Sequence, residues 1–212
     1  MSTDQKTDPL ELSVGFFTRA QDFATSAKHL CEVKLKLCTD APQHLLLAHA
    51  LELVLKAYLL ALGEKVTYVE AYEHDLKTLY DAVGQKVPDV IKTAEKNVRR
   101  KWITELREKR DLTFGSSAES GMPGYISNED IGSQAPDPMA DLEWLSKRHK
   151  FKGSIFRYYK PTFDTVRIVK FPGSSVETPF RSNLWLVEDL VASFPRPVLR
   201  NGKWHMTSRS TI

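Results

Sequence analysis

Apolar positions recur at helical spacing along the first half of the chain. Four segments carry apolar side chains three and four residues apart, which is the period of one helix face. The predicted helices cover residues 9–38, 42–62, 75–83 and 88–113. The second is apolar on nearly all sides, so we expect it to be the central helix, packed against several others.

Turn and capping residues separate these helices. Asp8 and Pro9 place an N-cap residue before a proline at the first helical position. Gly63 and Gly84 follow the second and third helices, where glycine commonly ends a helix. The pattern predicts an up-and-down helical bundle over residues 8–114.

The second half is less regular. Residues 115–137 are rich in Gly, Ser and Pro and are predicted to form a flexible loop. Beyond them the pattern predicts helices at 138–147 and 184–193 and β-hairpins at 154–171 and 198–206. The predicted fold class is therefore mainly α, a bundle with a C-terminal extension, residues 138–212, that contains a β-hairpin and packs on the bundle.

The composition is that of a globular protein, with 42% hydrophobic and 27% charged residues. Glu52 and Lys56 lie in the most apolar segment, so it is predicted to be buried and not to span a membrane. Cys31 and Cys38 would lie about 10 Å apart on one helix, too far for a disulfide. With no signal peptide visible, we expect a cytoplasmic protein without membrane association.

The central helix contains the sharpest group of polar residues. His49, Glu52 and Lys56 are spaced three and four apart, so they share one helix face. His74 and Asp75 follow in a predicted turn. These side chains could line a polar groove for a ligand, or they could form an internal polar brace. We favour the brace, because buried charges normally occur in satisfied pairs.

The same region resembles a known family. Residues 50–63, followed by His74, Asp75 and Leu76, resemble the second helix and the following turn of HEPN domains. The resemblance covers roughly residues 10–110. It implies a helical bundle that forms homodimers and, in many members, metal-independent RNA cleavage in toxin–antitoxin or phage-defence systems.

The resemblance also implies an active site in which an Arg and a His lie four to six positions apart on a late helix, where they would shuttle the proton of the cleavage reaction. The fourth predicted helix has several arginines and no His. Arg200 and His205 have the required spacing, but an Asn-Gly dipeptide between them predicts a hairpin turn. In a two-residue hairpin Arg200 would face Lys203 and His205 would face Val198. The pair is then either a site of different geometry or a coincidence of spacing.

Two segments are basic. Residues 92–110 hold eight Lys or Arg against three Glu, and residues 147–160 hold six, no acid, and several aromatics. Basic side chains bind phosphate and aromatic rings stack on unpaired bases, so the second segment is the predicted nucleic-acid site. A solvated helix end followed by a half-buried strand is the alternative. The candidate contacts are Lys147, Arg148, Lys150, Lys152, Arg157 and Tyr158.

No motif with metal-ligand or nucleotide-binding spacing is visible, so neither a metal nor a cofactor is expected. The predicted function is that of a non-catalytic or regulatory HEPN-like protein. It would form a homodimer and bind RNA or a protein partner, in a defence or toxin–antitoxin context. The alternative is a metal-independent endoribonuclease that uses Arg200 and His205 or another pair.

Overall fold

The computed structural model describes residues 8–32, 41–115, 125–149, 178–200 and 203–207. Most of these residues are helical, which confirms the predicted mainly α class. The helices are α1 (Pro9–Glu32), α2 (Ala41–Ala61), α3 (Val66–Glu70), α4 (Leu76–Lys86), α5 (Pro88–Phe114), α6 (Asn128–Ser133), α7 (Pro138–His149) and α8 (Thr178–Ser193). The strands are β1 (Arg196–Arg200) and β2 (Lys203–Thr207).

Helix α1 begins where the sequence predicts. Asp8 Oδ1 accepts a hydrogen bond from the Leu10 amide at 3.0 Å, which caps the first turn. The apolar stripe of the sequence alternates Phe16, Ala20, Phe23 and Ala27; the two alanines are buried, whereas the two phenylalanines are half-buried and pack against the core. The most deeply buried positions are small, because small side chains let two helices approach closely. They are Ser13, Ala20, Ala24 and Ala27.

Helix α2 is the central helix, as predicted. Residues 42–61 are long and apolar enough to cross a membrane by length and composition, and 67% of that window is buried inside the protein. The helix ends at Ala61, and Gly63, two residues later, has a left-handed φ of +87° that turns the chain away. The Glu64 amide then reaches back to the Leu59 carbonyl at 3.0 Å, which closes the last turn.

Two expectations between α2 and α5 are wrong. The predicted connection contains the short helix α3, and α4 continues past Gly84 to Lys86. Gly84 does not stop the helix because it does not adopt a positive φ. The stop comes from Pro88, which disfavours helical geometry at the preceding residue. Val87 accordingly has φ −134° and ψ 63°.

Helix α5 buries the five apolar residues that share one face at helical spacing in the sequence, Ile91, Ala94, Val98, Trp102 and Leu106. The loop predicted after it is partly helical. Ser127 and Asp130 form a capping box at the start of α6. Ile131 then packs against Trp102 and Leu106 of α5. A helix of six residues is too short for an apolar period to appear in the sequence.

The C-terminal helices belong to the same core as the bundle. Leu186, Val187 and Leu190 of α8 are fully buried in one cluster with α1, α2 and α4. The Tyr58 hydroxyl donates to the Leu190 carbonyl at 2.9 Å. Helix α8 begins six residues before its predicted start. A single hydrophobic core therefore spans the predicted boundary at residue 137.

Strands β1 and β2 pair antiparallel. Arg200 lies opposite Lys203 and Val198 lies opposite His205, which is the register expected from the sequence. The hairpin predicted at residues 154–171 lies outside the described residues.

Two glycines allow a matched test of the α2 stop. Gly63→Ala should lower the free energy of unfolding by about 1 kcal/mol, because an L side chain is strained at positive φ. Gly15→Ala, at an exposed position inside α1, should raise it by about 0.5–1 kcal/mol. Neither new Cβ would meet another atom within 4 Å. Urea unfolding measures the free energy of unfolding of both variants. The same change in both would contradict a requirement for left-handed geometry at Gly63.

Candidate functional site

The carboxylate of Glu52 is buried at the centre of the helical core, with 4% of the residue exposed. Lys56, one turn later on α2, places its Nζ 2.7 Å from Glu52 Oε1. The ion pair expected from the i, i+4 spacing is therefore present, and both side chains are largely shielded from solvent.

Three imidazole rings face the other carboxylate oxygen. His149 Nε2 lies 2.8 Å from Glu52 Oε2, and His74 Nδ1 lies 2.9 Å from the same atom. An ionised carboxylate only accepts hydrogen bonds, so these two nitrogens carry the hydrogens. His49 Nδ1 is 3.9 Å from Glu52 Oε2, beyond hydrogen-bond distance. We call His49, Glu52, Lys56, His74 and His149 the Glu52 cluster.

The cluster joins three elements. His49, Glu52 and Lys56 come from α2, His74 from the turn before α4, and His149 from the end of α7. The rings of His49 and His149 are 4.8 Å apart in an edge-on arrangement. Glu52 therefore links segments that are 97 residues apart in the chain.

Asp75, which the sequence placed in the brace, has a neighbouring role. Its carboxylate caps α4 by accepting from the Thr78 amide at 3.3 Å. It also accepts from the Ser146 hydroxyl of α7 at 3.3 Å. Asp75 thus fixes α7 against α4 beside the cluster.

Sequence reasoning missed His149, although its position offered a signal. It follows Leu142 and Leu145 on the buried face of α7, at helical spacing, and is fully buried. A histidine that continues an apolar stripe needs a polar partner in the core. Its Nδ1 is buried, and the described part of the chain offers that atom no hydrogen bond.

Burial alone would raise the pKa of Glu52, but its partners outweigh this effect. Hydrogen bonds from His149, His74 and Lys56, with the charge of Lys56, lower the pKa from 4.5 to about 2. The carboxylate is therefore ionised at neutral pH inside the core.

The cluster also contains a set of atoms that could hold a metal ion. One ligand atom from each of His49, Glu52 and His149 lies within 4.8 Å of the other two. His74 Nδ1 contacts the same carboxylate oxygen. These residues come from separate elements, so no spacing motif in the sequence could indicate them.

The pair Arg200 and His205 lies on strands, not on a helix. The two residues occupy diagonal positions of the β1–β2 ladder, and His205 is exposed. The helical geometry that the HEPN resemblance implies for an Arg–His site is therefore not reproduced by this pair.

Of the predicted nucleic-acid contacts, two can be placed. Lys147 is exposed on α7. Arg148 lies over the Trp144 ring, 4.0 Å from its centroid, and donates to the Trp144 carbonyl at 3.3 Å. Lys150, Lys152, Arg157 and Tyr158 lie outside the described residues.

The other basic segment forms a continuous surface along α5. Its exposed cations occupy one side of the helix and line a groove together with Glu95, Ile103 and Thr104. We call these five residues the α5 basic face: Lys92, Lys96, Arg99, Arg100 and Arg107.

The carboxylates between the ends of this face are held by other elements. Glu95 accepts a hydrogen bond from the Tyr80 hydroxyl of α4 at 2.9 Å. Glu105 pairs with Arg181 of α8 and with Lys109. None of these three partners belongs to the α5 basic face, so the two carboxylates do not pair with its cations.

The described fold thus defines a mainly helical protein with a buried carboxylate–histidine cluster and an exposed basic helix face. Comparison with family models, curated proteins and solved structures finds no match to this chain. What the protein does must follow from its own side chains.

Removing the Glu52 carboxylate should be costly. Glu52→Ala should lower the free energy of unfolding by about 3–5 kcal/mol, because it leaves the shielded Lys56 and the buried His149 without their acceptor. Glu108→Ala, at an exposed position within α5, should change it by less than about 0.5 kcal/mol. Chemical denaturation compares the two, and similar small effects would show that the cluster does not stabilise the fold.

The depressed pKa of Glu52 predicts a loss of stability in acid. Its folded pKa of about 2 is below its ordinary 4.5, so its contribution is present above about pH 4.5 and lost as the pH falls towards 2. The contribution of Glu52 ionisation to the free energy of unfolding is about 3 kcal/mol at neutral pH, and about 2 kcal/mol of it should be lost between about pH 6 and pH 3. The unfolding free energies of wild type and Glu52→Gln should therefore converge in acid. A pH-independent difference would contradict the prediction.

Proposed function

We propose that this chain is a HEPN-like helical protein that binds nucleic acid through the α5 basic face and acts without cleaving it. One observation carries the proposal. Within the described residues, Lys92, Lys96, Arg99 and Arg107 are exposed and make no ion pair. Unpaired cations on one helix face repel each other, and a phosphate backbone relieves that repulsion.

The face has dimensions suited to a backbone. Lys92 and Arg107 are separated by 15 residues, which corresponds to about 22 Å along the helix. Each phosphate neutralised by a cation releases counterions, so several contacts in a row give strong, salt-dependent binding.

The composition of the face favours the backbone over the bases. Ile103 and Thr104 are the uncharged residues between the cations, and no aromatic ring lines this groove in the described structure. Aromatic rings give the strongest base stacking, the guanidinium planes of the arginines stack on any base, and phosphate contact requires only charge. We therefore expect little sequence preference.

The HEPN-like part of the proposal rests on the resemblance in α2 and the following turn. It is supported by the packing of α1 along α2 and by the contact of Glu52 with Lys56 and His74. The resemblance also supports a homodimer, which sedimentation analysis would test.

Three substitutions on the face test RNA binding. Lys96→Gln, Arg99→Gln and Arg107→Gln together should weaken binding to a single-stranded RNA more than about tenfold at low salt. They should also reduce the slope of log affinity against log salt by about 2, since three phosphate contacts are lost. Fluorescence anisotropy at several salt concentrations measures both quantities.

The matched control removes the same charge from cations that already have partners. Lys28, Lys77 and Lys86 pair with Glu188, Asp81 and Glu64. Changing all three to Gln should leave affinity within about threefold. An equal loss in both variants would mean that net charge, not this face, drives binding.

If wild type does not bind RNA, the proposal fails and an acidic protein partner is favoured. RNA shortened during the titration would contradict the non-catalytic role, and His205→Ala would then test the alternative site.

A further inference from the structure

We propose that the Glu52 cluster is a binding site for a divalent transition-metal ion, best suited to Zn²⁺. The ligands would be one atom each from His49, Glu52 and His149. His74, whose Nδ1 bonds Glu52 Oε2 at 2.9 Å, would hold the carboxylate in place from outside the ligand set. This site is separate from the α5 basic face and does not depend on the proposed nucleic-acid binding.

The number of imidazoles exceeds what a brace around one carboxylate oxygen requires. Glu52 Oε2 has two lone pairs, and the bonds from His74 and His149, at 2.9 and 2.8 Å, satisfy both. The third ring, His49, points its Nδ1 at the same oxygen from 3.9 Å, where it makes no hydrogen bond to it. The rings thus bring several imidazole nitrogens to one place. For an ion to bind, the hydrogen on His149 Nε2 must move to Nδ1, so that the Nε2 lone pair faces the ion.

The ligand atoms would have to close on a tetrahedral ion. Ligands about 2.0 Å from zinc lie about 3.3 Å from each other. Glu52 Oε2 lies 2.8 Å from His149 Nε2 and 3.9 Å from His49 Nδ1, and the ligand atoms of the three residues span up to 4.8 Å. Binding would therefore draw the widest pair together by about 1.5 Å, through rotation of the partly exposed His49 ring.

The chemistry of the donors selects the class of ion. Imidazole nitrogen with one carboxylate oxygen suits Zn²⁺, Co²⁺ or Ni²⁺, whereas Mg²⁺ and Ca²⁺ prefer oxygen ligands. Three protein ligands leave the fourth position of a tetrahedral site for water. An ion would join α2 to the end of α7.

Lys56 shapes the site from outside the ligand set. Its Nζ bonds Glu52 Oε1 at 2.7 Å, so it orients the carboxylate and leaves Oε2 free to point at the ion. Its positive charge also repels the ion, which lowers the affinity relative to a site without it. His49 and His74 have side chains 27% and 28% exposed, so the ion can enter from solvent and leave again.

Calorimetric titration of the full-length, metal-stripped chain tests the proposal. We expect one Zn²⁺ per chain, a higher melting temperature with Zn²⁺, and no saturable binding of Mg²⁺. Co²⁺ should give the visible absorption of a tetrahedral site. His49→Ala and His74→Ala, at partly exposed positions, should each weaken Zn²⁺ binding at least tenfold while the metal-free protein remains folded.

The controls use two other histidines. His29→Ala and His205→Ala remove exposed imidazoles outside the cluster and should leave Zn²⁺ affinity unchanged. The proposal is overturned if wild type takes up no stoichiometric Zn²⁺, or if His49→Ala and His74→Ala bind it as wild type does. RNA binding should be unaffected in the histidine variants, so failure of one proposal is distinguishable from failure of the other.

Discussion

The rest of this structure depends on a buried negative charge at Glu52. An ionised carboxylate in a hydrophobic core is unfavourable unless several donors surround it. Here a lysine on the same helix and two histidines from distant segments meet that requirement. Because each donor comes with its own backbone, satisfying the charge also fixes the turn before α4 and the end of α7 against α2. The polar contacts in this core thus set the arrangement of the helices, and apolar packing fills the space between them.

Helix α5 shows how the remaining charge is divided between inside and outside. Its apolar side packs inward, while Glu95 and Glu105 turn to partners on α4 and α8. The cations on its solvent side stay together on one face. The α5 basic face therefore results from the way neighbouring helices take up the carboxylates, not from the basic composition of the segment alone.

Local features of the sequence predicted much of the fold, and their failures share a cause. The inward stripe of α5 and the glycine stop of α2 depend on a few neighbouring residues, and both are present. Gly84 was taken as a stop, but the dihedral angles that decide this are set by Pro88. The stripe of α1 alternates phenylalanines with alanines, and only the alanines are fully buried, because the close approach of α2 selects small side chains. Helix α6 is stabilised by its capping box and by one buried side chain, Ile131, and a single apolar residue cannot produce a helical repeat in the sequence.

The sequence by itself determined the helical class, the central position of α2 and the pairing of Glu52 with Lys56. Each of these follows from spacings of three and four residues, which a helix converts directly into contact. Only the tertiary structure decided that His149 completes the Glu52 cluster and that four cations on α5 make no ion pair with any residue in the described ranges. Contacts across 97 residues depend on how whole helices pack, and no local spacing encodes that packing.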